Sequence, residues 1–175
     1  MLFRSEPLMM RLGSLSFASI SPSQRLDAAR AAQLILIRLG ELNTPLRTTI
    51  ADAVEGMFPS GDDLFDRELV ILLTYLQSPG LAKKVLPILA QERKKTEADY
   101  VEILQRNKGY GGPIAAMLEN QPDLQQFHLA FSLRNLKEGW TVDQRKEFFK
   151  WFETAQQWKG GNSYQKFLIN AANDA

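Results

Sequence analysis

Cysteine is absent from the 175 residues, and histidine occurs once, at His128. Without thiols the chain cannot form disulfides, thiolate metal sites or iron–sulfur clusters. Nor can it attach haem through a Cys-x-x-Cys-His motif. The redox compartment stays open, because a cysteine-free chain is stable in either. With one histidine, every triad or histidine metal site would rest on His128 alone. A charge excess is missing too: 21 Lys and Arg face 20 Asp and Glu, a net +1 with a pI near 7.9. That balance argues against a dominant role on nucleic acid or an anionic membrane. Long apolar runs are lacking. The longest, Ala31 to Ile37, is interrupted by Gln33 and falls far short of the roughly 20 residues that span a bilayer. Residues Met1 to Glu6 lack a basic stretch leading into an apolar one, so they do not read as a secretory leader. Sustained apolar/polar alternation is absent, so essentially no sheet is expected.

What remains is helical. The densest stretch runs from Leu129 to Phe167 and holds Trp140, Trp151 and Trp158 with five phenylalanines. Within it, Thr141 to Gln144 has the form of a capping box, in which a Thr oxygen and a Gln side chain satisfy each other's backbone N–H groups. Phe148, Trp151, Phe152 and Ala155 follow at i, i+3, i+4, i+7, one face of a helix that must be buried. Gly139 before it and Gly160 with Gly161 after it read as helix stops, giving a hairpin with an aromatic seam.

Elsewhere the same punctuation recurs. Ser21, Pro22 and Gln24 open a helix that Gly40 closes after Leu39. Ala28, Ala31, Ala32, Ile35 and Leu39 share a face, and Leu34, Leu36 and Ile37 cover much of the rest, so this helix is expected to be buried on several sides. A shorter helix over Leu8 to Leu15 could precede it. Thr44 before Pro45 is the expected cap of a helix carrying Leu46, Ile50, Val54 and Phe58. Phe65, Leu69, Leu72, Leu73 and Leu76 form the strongest helical periodicity. Past the break at Ser78 to Gly80, Leu81 to Leu89 predicts a helix kinked or displaced by Pro87. Three more helices are expected over Thr96 to Leu104, Ile114 to Leu118, and Leu124 to Leu136. A last short one runs from Asn162 to Ile169. The chain thus divides into an N-terminal extension or partial helix (1–20), a single helical repeat domain (21–170) and a frayed tail (171–175). The fold predicted is all-α: a HEAT- or armadillo-like solenoid of antiparallel hairpins, with a globular helical bundle as the alternative.

Few residues suggest chemistry. His128 lies with Leu124 and Phe131 and is expected to be a partly buried, hydrogen-bonded packing residue rather than a haem ligand or proton shuttle. Asp62, Asp63 and Asp66 lack the spacing of a calcium loop and fit the positive end of a helix. Lys83, Lys84 and Arg93 to Lys95 are basic, but Glu92 and Glu97 flank the latter group. A solvated helix end suits them better than a phosphate backbone. Gly109 to Pro113 lacks the Gly-Lys-Ser/Thr ending of a phosphate loop and reads as a turn between helices. Tyr110 at its tip, with Trp140 and Trp158, are the candidate partner contacts. No catalytic, metal or cofactor site is predicted.

Several segments resemble a known family. Asp66 to Leu69 with Leu73 to Gly80, Phe127 to Ala130 with Leu133 to Thr141, Phe149 to Phe152, and Gly160 to Leu168 are similar to parts of large multidomain proteins of planctomycetes and related bacteria. In those proteins a HEAT-like region follows a sugar-dehydrogenase-type β-propeller and precedes a c-type cytochrome domain. The resemblance covers about Leu26 to Ala175, and its motifs are hairpin signatures. It implies the helical module alone, with haem confined to a neighbouring domain and the parent exported or periplasmic. The expected role is a non-catalytic scaffold or protein-interaction module. The alternative is an accessory domain of a haem-containing dehydrogenase. Nucleic-acid binding is disfavoured by the charge balance.

Overall fold

The four N–H groups at a helix start need acceptors, and side chains supply them at five of the helices here. A computed structural model of the chain describes residues 5–40, 42–92, 121–160 and 163–175. Among these it contains α1 (Ser5–Gly13), α2 (Pro22–Leu39), α3 (Thr44–Met57), α4 (Asp63–Tyr75) and α5 (Leu81–Leu89). It continues with α6 (Leu124–Leu133), α7 (Val142–Ala155) and α8 (Tyr164–Asp174). No strand occurs among the described residues. The chain is all-α. The expected elements over Thr96 to Leu104 and Ile114 to Leu118, and the Gly109 to Pro113 turn, lie outside the described residues.

The capping boxes form where expected. Gln24 N–H donates to Ser21 Oγ at 3.3 Å and Gln24 Oε1 accepts from Ser21 N–H at 2.9 Å. The same exchange joins Thr141 and Gln144 at 3.2 and 2.9 Å. At α3 the cap is Asn43, whose Oδ1 accepts from Leu46 N–H at 3.0 Å, and Thr44 is the first helical residue. An amide oxygen caps better than a Thr hydroxyl, and Pro45 fits the first turn either way. Asp62 accepts from Leu64 and Phe65 N–H, and Asp66 accepts from both the N–H and the hydroxyl of Ser60 at 2.7 Å. The acidic group is therefore an N-terminal cap and a loop clamp.

α4 is the centre. It packs on α2, α3, α5 and α6, and Phe65, Leu69, Val70, Leu72 and Leu73 are all buried. Between α4 and α6 the polar links keep one offset. Arg67 Nε donates to Gln125 Oε1 at 2.7 Å, and Gln77 Nε2 to Asn135 O at 3.1 Å. Both pairs are 58 residues apart, so α4 and α6 run parallel. α5 runs the opposite way: its C-terminal Gln91 carbonyl meets Gln126 Nε2 near the start of α6. Lys84 on α5 donates to the Glu55 and Phe58 carbonyls, which end α3. A cation there complements the negative end of a helix dipole.

Several expectations need correcting. α2 is not buried on several sides: Ala28, Ala29, Ala32 and Leu36 form its buried stripe, while Leu34 is 52% and Ile37 69% exposed. Its main neighbours, α1 and α4, cover one flank. α6 stops at Leu133 rather than Leu136, with the chain turning through Leu136 N–H to Leu133 O at 2.9 Å. Gly139 is not a helix stop. It has φ +78°, and a Cβ there would lie 2.5 Å from Pro79 Cα and O, so only glycine permits this crossing. α5 starts at Leu81 and includes Pro87, so its start is not displaced. The tail expected to fray continues α8 to Asp174, with Ala171 buried. Met9 of α1 is buried in the common core, with Leu12 and Phe17 packed against it.

The aromatic face of α7 is buried as predicted: Phe148, Trp151, Phe152 and Ala155 all lie inside. Its main neighbours are α5 and α8. Trp151 meets Phe152 and Trp158 edge-on, at 5.1 and 5.8 Å between ring centres, a favoured aromatic geometry. Its indole N–H donates to Gln126 Oε1 at 3.0 Å, so the one polar atom of a buried ring is satisfied from α6. Gly160 leaves room for the Tyr164 ring, which a Cβ would meet at 2.3 Å. The Tyr164 hydroxyl donates to Ala155 O at 2.9 Å, and burial raises its pKa.

Candidate functional site

α2, α4 and α6 lie in a row, α4 between the other two. The ties within this row fix which side chains point outward. Arg30 Nε and Gln33 Nε2 reach Glu68 at 2.9 and 2.8 Å, so this edge of α4 is joined to α2. Arg67 joins the other edge to α6. On a 100° wheel, Ile71 and Tyr75 fall between those edges, and both are exposed, at 40% and 43%. On α2, Leu34 and Ile37 occupy the side opposite the buried alanine stripe. Large apolar groups thus stand in water on two adjacent helices.

A cleft of about 190 Å³ continues this face between α4 and α6, lined by Ile71, Thr74, His128, Phe131, Ser132 and Asn135. His128 is on the surface, contrary to the expected packing role. Its partial burial, reinforced by Arg67, holds its pKa below the ordinary imidazole value, and Glu68 works against both. The Thr74 hydroxyl is buried at the floor with no hydrogen-bond partner. Beside the cleft, the Arg134 guanidinium sits 5.0 Å over the Phe131 ring.

Of the residues expected to meet a partner, Trp140 and Trp158 are described, and both are half-buried. Trp140 is half-buried: its indole N–H donates to Leu136 O at 2.9 Å, its ring lies 5.2 Å from Phe148, and Arg145 covers it at 4.8 Å. Trp158 is half-buried against Trp151, on the rim of a second cleft of about 650 Å³ between α5 and α7. Tyr110 and the Arg93 to Lys95 group lie outside the described residues. Lys84 is engaged by the end of α3, and Lys83 is exposed. Trp140, Trp158, Lys83 and Lys84 do not line the α4–α6 cleft of that face.

That face escaped the sequence because apolar surplus on α2 was assigned to burial. The available signal was the surplus itself: Leu34 and Ile37 lie beyond the stripe that one packed flank can cover. Among the described residues no three His, Asp or Glu side chains are grouped to hold a metal, and no helix is long and apolar enough to cross a membrane. No family model, curated protein or solved structure matches the chain.

Proposed function

We propose that this chain is a non-catalytic helical-repeat scaffold that binds a protein or a neighbouring domain through the outward face of α2, α4 and α6. The observation that carries this is the exposure of Leu34, Ile37, Ile71 and Tyr75 on adjacent helices. Apolar side chains gathered on a surface favour association, because covering them removes apolar area from water. The solenoid form of the fold is part of the same reading. It is supported by the parallel run of α4 and α6 with α5 antiparallel against them, since stacked hairpins place alternate helices in one layer and create extended faces. In this reading the chain carries no cofactor itself. The resemblance noted above makes a c-type cytochrome domain the first partner to try.

Photo-crosslinking in the native host tests the proposal. A photoreactive residue is placed at Ile37 or Tyr75, and at exposed Lys146 on α7 as a control. Capture of one protein or domain from the first two positions and not from the third is the expected result. Equal labelling from all three would remove this face from consideration.

A further inference from the structure

Beside α1 an apolar pocket reaches from the surface to the core. A cavity of about 290 Å³ lies among α1, α2, α3 and α4, and every one of its lining residues is apolar or glycine. Its walls come from Met9 and Leu12 on one side, Ala28, Ala29 and Ala32 on another, and Leu69 at the base. Protein interiors are normally packed as densely as organic crystals. Here three alanines on one stripe of α2 leave the space that larger side chains would take. The cavity opens to solvent past Gly13, Leu15 and Ala53, which are exposed, so an apolar molecule can enter and cover its walls.

A second feature lies one turn away. Arg25 stands three and four residues before Ala28 and Ala29, hence on the same face of α2. Its Nε is buried and has no hydrogen-bond partner. A buried guanidinium N–H without an acceptor is costly, and a carboxylate is the acceptor that its planar fork matches best.

From the two together we infer that this end of the molecule binds a medium-chain carboxylate amphiphile, with the alkyl chain in the α1–α4 cavity and the carboxylate on Arg25. The size sets the chain length. The volume lies near the lower end of small-molecule sites, roughly 300–1,000 Å³, which suits a chain of about eight to ten carbons rather than a full-length lipid. The chemistry sets the head group, since the walls offer an anion nothing and Arg25 offers it a charge-assisted hydrogen bond. This site is separate from the α2–α4–α6 face, and its occupancy does not depend on that face binding a partner.

Decanoate and decanol, each titrated calorimetrically into the parent and into Arg25→Gln, test the inference. The parent is expected to bind one decanoate per chain, about tenfold tighter than decanol, as one charge-assisted contact implies. In Arg25→Gln the two ligands should bind within about twofold of each other, decanol being unaffected. Ala29→Leu, which narrows the cavity, should weaken both; its helical circular dichroism and melting transition report whether it is folded. Arg25 is half-buried, so the melting transition of Arg25→Gln is measured alongside, and with that variant folded the head-group comparison stands even if Ala29→Leu does not fold. Absence of decanoate binding by the parent overturns the site. Equal binding of decanoate and decanol by the parent, or an undiminished preference in Arg25→Gln, overturns the role of Arg25.

Discussion

α2 and α4 are both rich in apolar residues and behave differently as helices. The 18 residues of α2 bury four side chains, Ala28, Ala29, Ala32 and Leu36. The 13 residues of α4 bury seven, from Phe65 to Thr74. The difference is in their neighbours. α4 packs against four helices, and α2 has its main contacts with α1 and α4. An apolar side chain contributes to stability only where another element removes it from water. On α4 most apolar residues are core, with Leu64, Ile71 and Tyr75 left in water. On α2 their surplus becomes a surface, and the small residues on its buried side leave a cavity.

Truncating one leucine on each helix gives the largest expected contrast. Leu73→Ala removes a fully buried side chain and should cost about 2–5 kcal/mol, the range for a leucine whose cavity cannot collapse. Leu34→Ala removes one that is half in water, and its effect should stay within about 0.5 kcal/mol. Denaturant midpoints measured at a common slope decide this. Equal losses would mean that α2 is covered in solution, and the proposed docking face would go with it.

The turn between α4 and α5 comes next. Gly139 crosses directly over Pro79 with φ +78°. Gly139→Ala meets left-handed strain of about 1–2 kcal/mol, and the Pro79 backbone must also shift. A loss of at least that size is expected in the melting transition. A neutral result would show that the segment before α7 does not press on the α4–α5 turn, leaving α4 less enclosed than it is here.

Much of this was readable beforehand, and the boundary is physical. Cap chemistry is local, so Ser21 with Gln24 and Thr141 with Gln144 were legible from spacing alone. The buried faces over Phe65 to Leu76 and Phe148 to Ala155 were legible because their 3.6-residue period matches what each helix buries. Asn43 was missed because two cap formers stand side by side before Pro45. The outward stripe was missed because exposure depends on where other helices lie. Trp140 and Trp158 were singled out as aromatic, yet what their rings touch comes from Arg145, Phe148 and Trp151, a matter of tertiary placement. The unfilled cavity gives no sequence signal beyond three alanines on one stripe.

Helix starts allow a finer comparison of the same two elements. Asp62 accepts from two backbone N–H groups of α4, at 2.9 and 3.2 Å, and its charge meets the positive end of the helix. Ser21 accepts one, at 3.3 Å, from α2. Asp62→Ala should therefore cost more, toward about 2 kcal/mol, and Ser21→Ala nearer about 0.5 kcal/mol. The reverse order in paired denaturant melts would mean that α2, for all its exposure, depends more on its start than α4 does.

The smallest effect expected is a pH dependence at the edge of the α4–α6 cleft. His128 is shifted downward first by partial burial and then by Arg67, with Glu68 opposing. Its folded pKa therefore lies below the ordinary value near 6.5. Above that value the imidazole is neutral in both states and contributes no pH dependence. As the pH falls through 6.5 the unfolded chain takes up the proton first, so stability declines. The decline ends once the pH passes below the lowered folded pKa, where both states are protonated. His128 is mostly in contact with water, so the slope is shallow and the double difference is what to measure. Denaturant midpoints at pH 7.5 and 5.5 should fall more for the parent than for His128→Gln. Replacing Arg67 with Gln should reduce the same difference without abolishing it, because burial is the larger cause. If His128→Gln loses as much between the two pH values as the parent, the imidazole is not held in the cleft. Its place on the α4–α6 edge of the docking face would then be withdrawn, leaving Ile71 and Tyr75 to define that edge.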